Sequence, residues 1–297
     1  MTGRQIRLLK KDLLGWAFCL VPIVIFIIFI VIPLVMAFYI SLTDYNLLRM
    51  EFVGLKNYVD IFSTPSIRRS FLMSFVNVLV YTAMSLPISL IVNVGIAALL
   101  QNNLRGAKVY RVLYYLPALT GSVAMAMIWS WFFHAAYSPI NALLNLIGLP
   151  SIPFLESRWT AMPTLVFMTV WSGVGGGVVM YSAAMQTIPG EYYEAAKMDG
   201  ASSMRQFFTI TVPMLMPTIF FTVTMGIISS LQLFDPVYLL TNGGPEGTTE
   251  TPAWKIYMVS FETANEAGQG SAMAVCLFFV VMIVTIVFQK ITKEQVV

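Results

Sequence analysis

Six stretches of this 297-residue chain carry no Asp, Glu, Lys or Arg, and each exceeds 20 residues: 13–43, 70–103, 112–155, 159–190, 206–234 and 267–289. A helix needs about 20 apolar residues to cross the hydrocarbon core of a bilayer. No water reaches that core to bond a free peptide group, so a crossing segment is either a helix or a strand of a closed barrel. Barrel strands alternate polar and apolar residues over about 10 positions, and the run 21–35 (VPIVIFIIFIVIPLV) does not alternate. Composition agrees: 58% of residues are hydrophobic and 10% are charged, against about 25% charged in a soluble domain. The pattern predicts an all-α polytopic bundle with six transmembrane helices, over roughly 14–40, 71–100, 111–133, 161–185, 211–234 and 268–289. A seventh crossing within 112–155 is rejected, because Ser138-Pro139-Ile140-Asn141 and Gly148-Leu149-Pro150 are breaker signals. The first apolar run is too long for a cleavable signal and lacks a small-residue cleavage site, so it is expected to stay as the first helix.

Lys and Arg set the orientation. An inward N-terminus puts eleven of them inside (Arg4, Arg7, Lys10, Lys11, Arg105, Lys108, Arg111, Lys197, Arg205, Lys290, Lys293) and six outside (Arg49, Lys56, Arg68, Arg69, Arg158, Lys255). Both termini are therefore expected in the cytoplasm, with an N-terminal tail 1–13, a six-helix membrane domain 14–289 and a C-terminal tail 290–297. The acidic residues lean outward. The net charge of +3 is juxtamembrane and implies no nucleic-acid partner. Cys19 and Cys276 lie within predicted spans without metal-ligand or disulfide spacing.

No acid, base or histidine sits in the middle of a predicted span. Proton- and sodium-coupled carriers usually place such groups at mid-membrane, and here His134 and Asp235 fall at helix ends. No Walker loop, HExxH or GxSxG is present. No catalytic cluster, metal site or cofactor of this chain's own is expected, and any energy for transport arrives from a partner.

The segment expected to receive it is 186–217, QTIPGEYYEAAKMDGASSMRQFFTITVPMLMP. Thr187 is a candidate N-cap, Pro189 pre-sets the first turn, and Glu191 and Glu194 complement the helix dipole. Tyr192, Ala195, Ala196 and Met198 form an apolar patch. Asp199-Gly200 ends the helix with glycine in a left-handed position, and Ser202 or Ser203 caps the next helix. Such a short helix either docks on a cytoplasmic protein or lies flat on the inner leaflet. A membrane-surface helix is rich in Lys and Arg, whereas Glu191, Glu194 and Asp199 outnumber Lys197 here, which favours a protein partner.

Glu194-Ala195-Ala196 and Asp199-Gly200-Ala201, followed by Phe207, Ile210, Pro213 and Pro217, resemble the EAA loop of the membrane subunits of binding-protein-dependent ABC importers. The segment 239–248 (LLTNGGPEGT) is similar to an outer loop of the sugar-importer permeases related to the maltose system, of the kind like its larger subunit, and 52–62 (FVGLKNYVDIF) resembles their first outer loop. The resemblance covers almost the whole chain. It implies a type I ABC importer permease fold in a bacterial plasma (inner) membrane, a coupling (EAA) loop over 186–212 and an outer loop over 235–267. Residues 191–203 would seat in the ATPase subunit, with Glu191, Tyr192, Glu194, Ala195, Ala196, Met198, Asp199, Gly200 and Ala201 as the coupling residues. It also implies the partners: a homologous second permease, a cytoplasmic ATPase dimer that carries the ATP and Mg, an external solute-binding protein, and a sugar substrate.

The expected solute path uses Ser229, Ser230, Leu233 and Asp235 before the LLTNGGP segment, in register with the maltose permease. Gly173 and Gly176 in the fourth span are further candidates. Glycines there, with Gly175 and Gly177, serve either a pore or a close helix approach. Trp129, Trp131 and Trp171 near span ends read as interface anchors. With no basic group in mid-span, a neutral sugar or oligosaccharide is favoured, moved by alternating access. The rival readings are a secondary carrier or channel without an ATPase, and a membrane enzyme, for which one His and scattered carboxylates supply no cluster.

Overall fold

The computed structural model describes residue 16 and residues 18–46, 49–101, 107–262 and 266–293. The tail 1–13 and the expected inner cations Arg4, Arg7, Lys10, Lys11 and Arg105 lie outside the described residues. Among those described there is no β-strand, only an isolated bridge between Thr43 and Phe52.

The helices are α1 (Phe18–Ser41), α2 (Lys56–Ser63), α3 (Pro65–Gln101), α4 (Ala107–Leu119), α5 (Ser122–Phe132), α6 (Pro139–Leu146), α7 (Ala161–Gln186), α8 (Gly190–Met198), α9 (Ser203–Met214), α10 (Met216–Leu231), α11 (Pro252–Tyr257) and α12 (Ala267–Lys293). Four of them, α1, α3, α7 and α12, are individually long and apolar enough to cross a membrane. The predicted third and fifth spans are not single helices. The third breaks between α4 and α5 with a bend of 103°, and the fifth between α9 and α10 with a bend of 65°, so six crossings are reached when each bent pair counts as one. The causes are local. Gly121 is extended (ψ 148°) at the first break. At the second, Pro217 brings no N–H and its ring crowds the carbonyl of Pro213, four residues back. The predicted second span starts six residues earlier than expected, at Pro65. The rejected seventh crossing holds only the eight-residue α6, capped by Ser138 Oγ on the Asn141 N–H at 3.1 Å.

The chain divides into two packed units, residues 1–67 with 256–278, and residues 68–255 with 279–297. In the first, the end of α1 is tied down by the buried Asn57, whose Nδ2 donates to the carbonyls of Ser41 and Thr43 at 2.8 Å each. The Gly268 N–H donates to the Tyr45 carbonyl at 2.9 Å, and Phe38 meets Phe278 edge-on at 5.9 Å.

In the second unit α7 is the centre, with twelve buried residues. Tyr181 and Met185 pack with Val94 and Ala97 of α3 and with Leu215 at the α9–α10 break. Met162 and Val166 pack with Tyr81, and Val174 and Val178 with Leu100. Lipid is as apolar as these side chains, so close fit and polar contacts, not water exclusion, hold such helices together. Two such polar contacts are Tyr81 Oη donating to Thr169 Oγ1 at 2.8 Å and the pairing of Tyr181 with Thr222.

The segment 241–254 also belongs to this unit. Asn242 and Gly243 are left-handed (φ 46° and 82°), and Trp254 Nε1 donates to Asn242 Oδ1 at 3.1 Å. Thr249, fully buried, donates to the Gly244 carbonyl at 2.6 Å. Asn77 of α3 holds the loop by donating to the carbonyls of Gly247 and Glu250 at 2.8 and 2.9 Å.

Candidate functional site

Two places bring the predicted residues together. The first is the corner between α8 and α9. Pro189 takes the extended cap position of α8 (φ −61°, ψ 133°). Thr187 does not cap this helix as expected; it terminates α7, its Oγ1 donating to the Ala184 carbonyl at 2.8 Å. α8 starts two residues later than a cap at Thr187 would allow, and Pro189 at its cap position offers no side-chain acceptor, so the helix begins without a side-chain cap. Glu191 stands in the first turn and Lys197 in the last, each facing the favourable end of the dipole.

The turn that follows is closed by backbone hydrogen bonds. The Gly200 N–H donates to the Lys197 carbonyl at 3.0 Å and the Ala201 N–H to the Ala196 carbonyl at 2.9 Å. With Gly200 at φ 76°, this satisfies the last carbonyls of α8 in the pattern that glycine allows. Ser202 Oγ then caps α9 on the Arg205 N–H at 3.3 Å. Two further contacts brace the corner. Gln206 Nε2 donates to the Ala201 carbonyl at 2.9 Å, and the Tyr193 and Thr211 hydroxyls meet at 2.8 Å. Tyr193, Gln206 and Thr211 escaped sequence reasoning, since nothing in a tyrosine pair says which ring turns back to the chain.

None of the α8 residues is buried. Met198 is 89% exposed and Tyr192 53%. Glu191, Glu194, Ala195, Asp199 and Gly200 are exposed, and Ala196 and Ala201 half-buried. An apolar strip on a rigid helix is thus left uncovered by its own chain.

The second place is a cavity of about 460 Å³ between α3, α7 and α10. Gly173, Gly176, Gly177 and Met180 line it from α7. Their spacing of i, i+3, i+4 and i+7 defines one helical face. The opposite face carries Gly175, where a Cβ would meet the Tyr114 carbonyl oxygen at 2.6 Å. The glycines thus differ by side of one helix: open space at Gly173 and Gly176, close approach of α4 at Gly175.

Of the candidate path residues on the fifth span, Ser229 lines this cavity. Ser230, Leu233 and Asp235 do not. Ser230 is buried and donates to the Gly226 carbonyl at 2.8 Å, Leu233 packs against Tyr81, Met162 and Val166, and Asp235 is exposed. The polar lining comes instead from Ser89 and Asn93 of α3, Tyr181 of α7 and Thr222 of α10. Asn93 had a signal in the sequence, an amide deep inside a charge-free stretch; the hydroxyls had none. No charged residue lines the cavity among those described. Trp129 and Trp171, read as anchors, pack into one aromatic cluster with rings 6.4 Å apart.

The sequence profile of the binding-protein-dependent transport system inner membrane component family matches residues 61–296. The sulfoquinovosyl glycerol transport system permease protein SmoG of Agrobacterium fabrum is 34% identical over 97% of this chain and 92% of its own. The trehalose/maltose transport system permease protein MalF of Thermococcus litoralis is 30% identical over 96% of this chain and 95% of its own. The fold is similar to a chain of a bacterial alginate ABC transporter crystallised with its alginate pentasaccharide-bound periplasmic protein, with a TM-score of 0.84 at 22% identity over 97% of both chains. This chain belongs to the binding-protein-dependent transport system inner membrane components, and is a multi-pass permease subunit of an ABC importer, a transport component and not an enzyme.

Proposed function

We propose that this permease forms one half of a two-subunit path for a neutral saccharide, driven by a cytoplasmic ATPase dimer that seats α8. The observation that carries the reading is the α8–α9 corner: an exposed helix with no buried residue, joined to the next helix through a hydrogen-bonded glycine turn. A rigid corner transmits displacement; a loose linker absorbs it. ATP and Mg bind on the ATPase, and this chain carries no cofactor. Glu194 serves as the polar anchor, Ala195 and Ala196 permit close approach, and Tyr192 and Met198 fill the partner's groove. Gly200 and Ala201 hold the turn, with Glu191 and Asp199 at the two ends of α8. Both termini then lie in the cytoplasm of a bacterial cell, and an external solute-binding protein delivers the solute to the far side.

The saccharide class is supported by the solutes that the relatives' names carry and by the cavity of α3, α7 and α10. Gly173, Gly176 and Ser229 are path residues in this reading, while Ser230, Leu233 and Asp235 lie beside the path. Neutrality follows from the lining, which offers hydroxyls, an amide and apolar surface but no charge. Closure of the ATPases on ATP draws the coupling helices together, the bent spans rock, and the cavity opens outward. A secondary carrier draws no support from the family.

The test is uptake and ATP hydrolysis by the assembled transporter with labelled maltose, trehalose and lactose. An ATPase and a second permease are expected to copurify with this chain. Glu194→Ala and Gly200→Pro are expected to hydrolyse ATP without uptake while remaining in the membrane. Normal uptake by both variants would sink the coupling assignment, and uptake of no saccharide would sink the solute class.

A further inference from the structure

The polar side of the cavity contains a hydrogen-bonding group with nothing to bond. Asn93 is 6% exposed. Its Nδ2 donates to Ser89 Oγ at 3.0 Å, while its Oδ1 has no partner among the described residues. An acceptor left unpaired in an apolar interior is destabilising, because it has given up water for nothing. Across from it, a Cβ at Gly177 would collide with the Asn93 amide, so α7 gives up a side chain where α3 places an amide. Helix–helix adhesion does not account for this arrangement, because an amide acting as glue spends its acceptor on the neighbouring helix.

The adjoining hydroxyls point the same way. Thr222 Oγ1 donates its one hydrogen to the Ile219 carbonyl at 3.0 Å. It therefore accepts from the Tyr181 hydroxyl, with which it is paired. That leaves the Tyr181 oxygen as a second uncharged acceptor on the same wall. An anion calls for cations or a cluster of donors and a divalent cation for carboxylate charge, and no charged residue lines the cavity among those described. Uncharged acceptors in a cavity of about 460 Å³ suit a small ligand that brings its own O–H donors.

We propose that Asn93, with Ser89, Tyr181 and Thr222, forms an acceptor-rich rung of the cavity that takes the hydroxyl groups of a neutral polyhydroxy solute. This deepens, and rests on, the saccharide reading above. The rung makes Asn93 a specificity-determining residue: it bonds a solute hydroxyl and leaves a solute lacking that hydroxyl with an unpaired amide.

The test uses the assembled transporter in membrane vesicles with Cys19 and Cys276 replaced by Ser. Asn93→Cys is treated with a small water-soluble methanethiosulfonate, with and without maltose, trehalose or lactose. Labelling is expected, slowed by the saccharide that is transported. In parallel, Asn93→Leu, of matching size without an acceptor, is expected to lower uptake of that saccharide about tenfold, the worth of one neutral hydrogen bond. Asn93→Asp keeps an acceptor of the same shape and retains more uptake than the Leu variant. Failure to label in any nucleotide state overturns the proposal, since the cluster is then sealed from the path. Undiminished uptake by Asn93→Leu overturns it too, and leaves the saccharide reading standing. If the unsubstituted transporter takes up none of the three sugars and none protects, the saccharide reading falls and this proposal with it. Should Asn93→Leu fail to assemble, the labelling and protection arm decides alone.

Discussion

The loop 241–254 and the corner 186–212 are both glycine turns between helices, and they are built to opposite ends. In the loop the chain closes upon itself. Thr249 and Thr251 are fully buried, a Cβ on Gly243 would meet the Trp254 ring at 2.7 Å, and Asn77 of α3 grips two of the loop's carbonyls. At the corner the backbone is hydrogen-bonded too, but apart from Tyr193 and Ala196 the α8 residues are exposed, and a Cβ on Gly200 would touch nothing within 4 Å. One glycine is required by backbone and by space, the other by backbone alone. A turn that fills its own surroundings is finished as folded. A turn with satisfied peptides and empty surroundings is stiff and still lacks a neighbour.

The contrast is broken or sharpened by four substitutions. Gly243→Val has the largest expected effect, about 2–4 kcal/mol, from the left-handed backbone and the overpacked Trp254 together; it is read as a fall in the thermal midpoint of the detergent-purified protein. A midpoint as high as the parent's would mean that the loop is not packed as described. Thr249→Val, which strips the half-buried Gly244 carbonyl and the Thr241 hydroxyl of a partner, is expected to cost about 1–2 kcal/mol in the same measurement. Gly200→Ala bears only the backbone term, about 1–2 kcal/mol, and its midpoint should lie above that of Gly243→Val; the reverse order would erase the distinction. Met198→Ser is expected to change the chain's own stability by less than about 0.5 kcal/mol, as surface changes do. It should nevertheless weaken ATPase retention on copurification, and full retention would remove the exposed strip from the proposed interface.

Much of the corner was legible in the sequence because its determinants are local. Gly200 and Ser202 act on peptides within five positions of themselves, so residue type and spacing suffice. The entry differs from the expectation: Thr187 resembles a cap, but the helix starts past Pro189 and the Thr187 hydroxyl bonds back to the Ala184 carbonyl. The bends of the third and fifth spans were missed for a related reason. Apolar length is counted without regard to direction, while Gly121, Pro213 and Pro217 redirect the axis without adding a charge. The cavity was the least legible part. Ser229 follows from resemblance, and Gly173 and Gly176 from the glycine cluster of their span, but Asn93, Ser89, Tyr181 and Thr222 come from three helices whose faces meet only once they pack. Ser230, adjacent to Ser229, points its hydroxyl back into its own helix, a difference of one residue that no spacing rule resolves.

The sequence by itself determined the solvent of this protein, the class of its fold and the place of its glycine corner. Lipid selects each segment separately for apolar length, and a capping group reaches no farther than one turn. Packing alone sets which face of α7 opens on a cavity and which admits α4, and that the Asn93 amide oxygen has no partner among the described residues. Those outcomes depend on the register between helices far apart in the chain, and neither hydropathy nor periodicity carries that register.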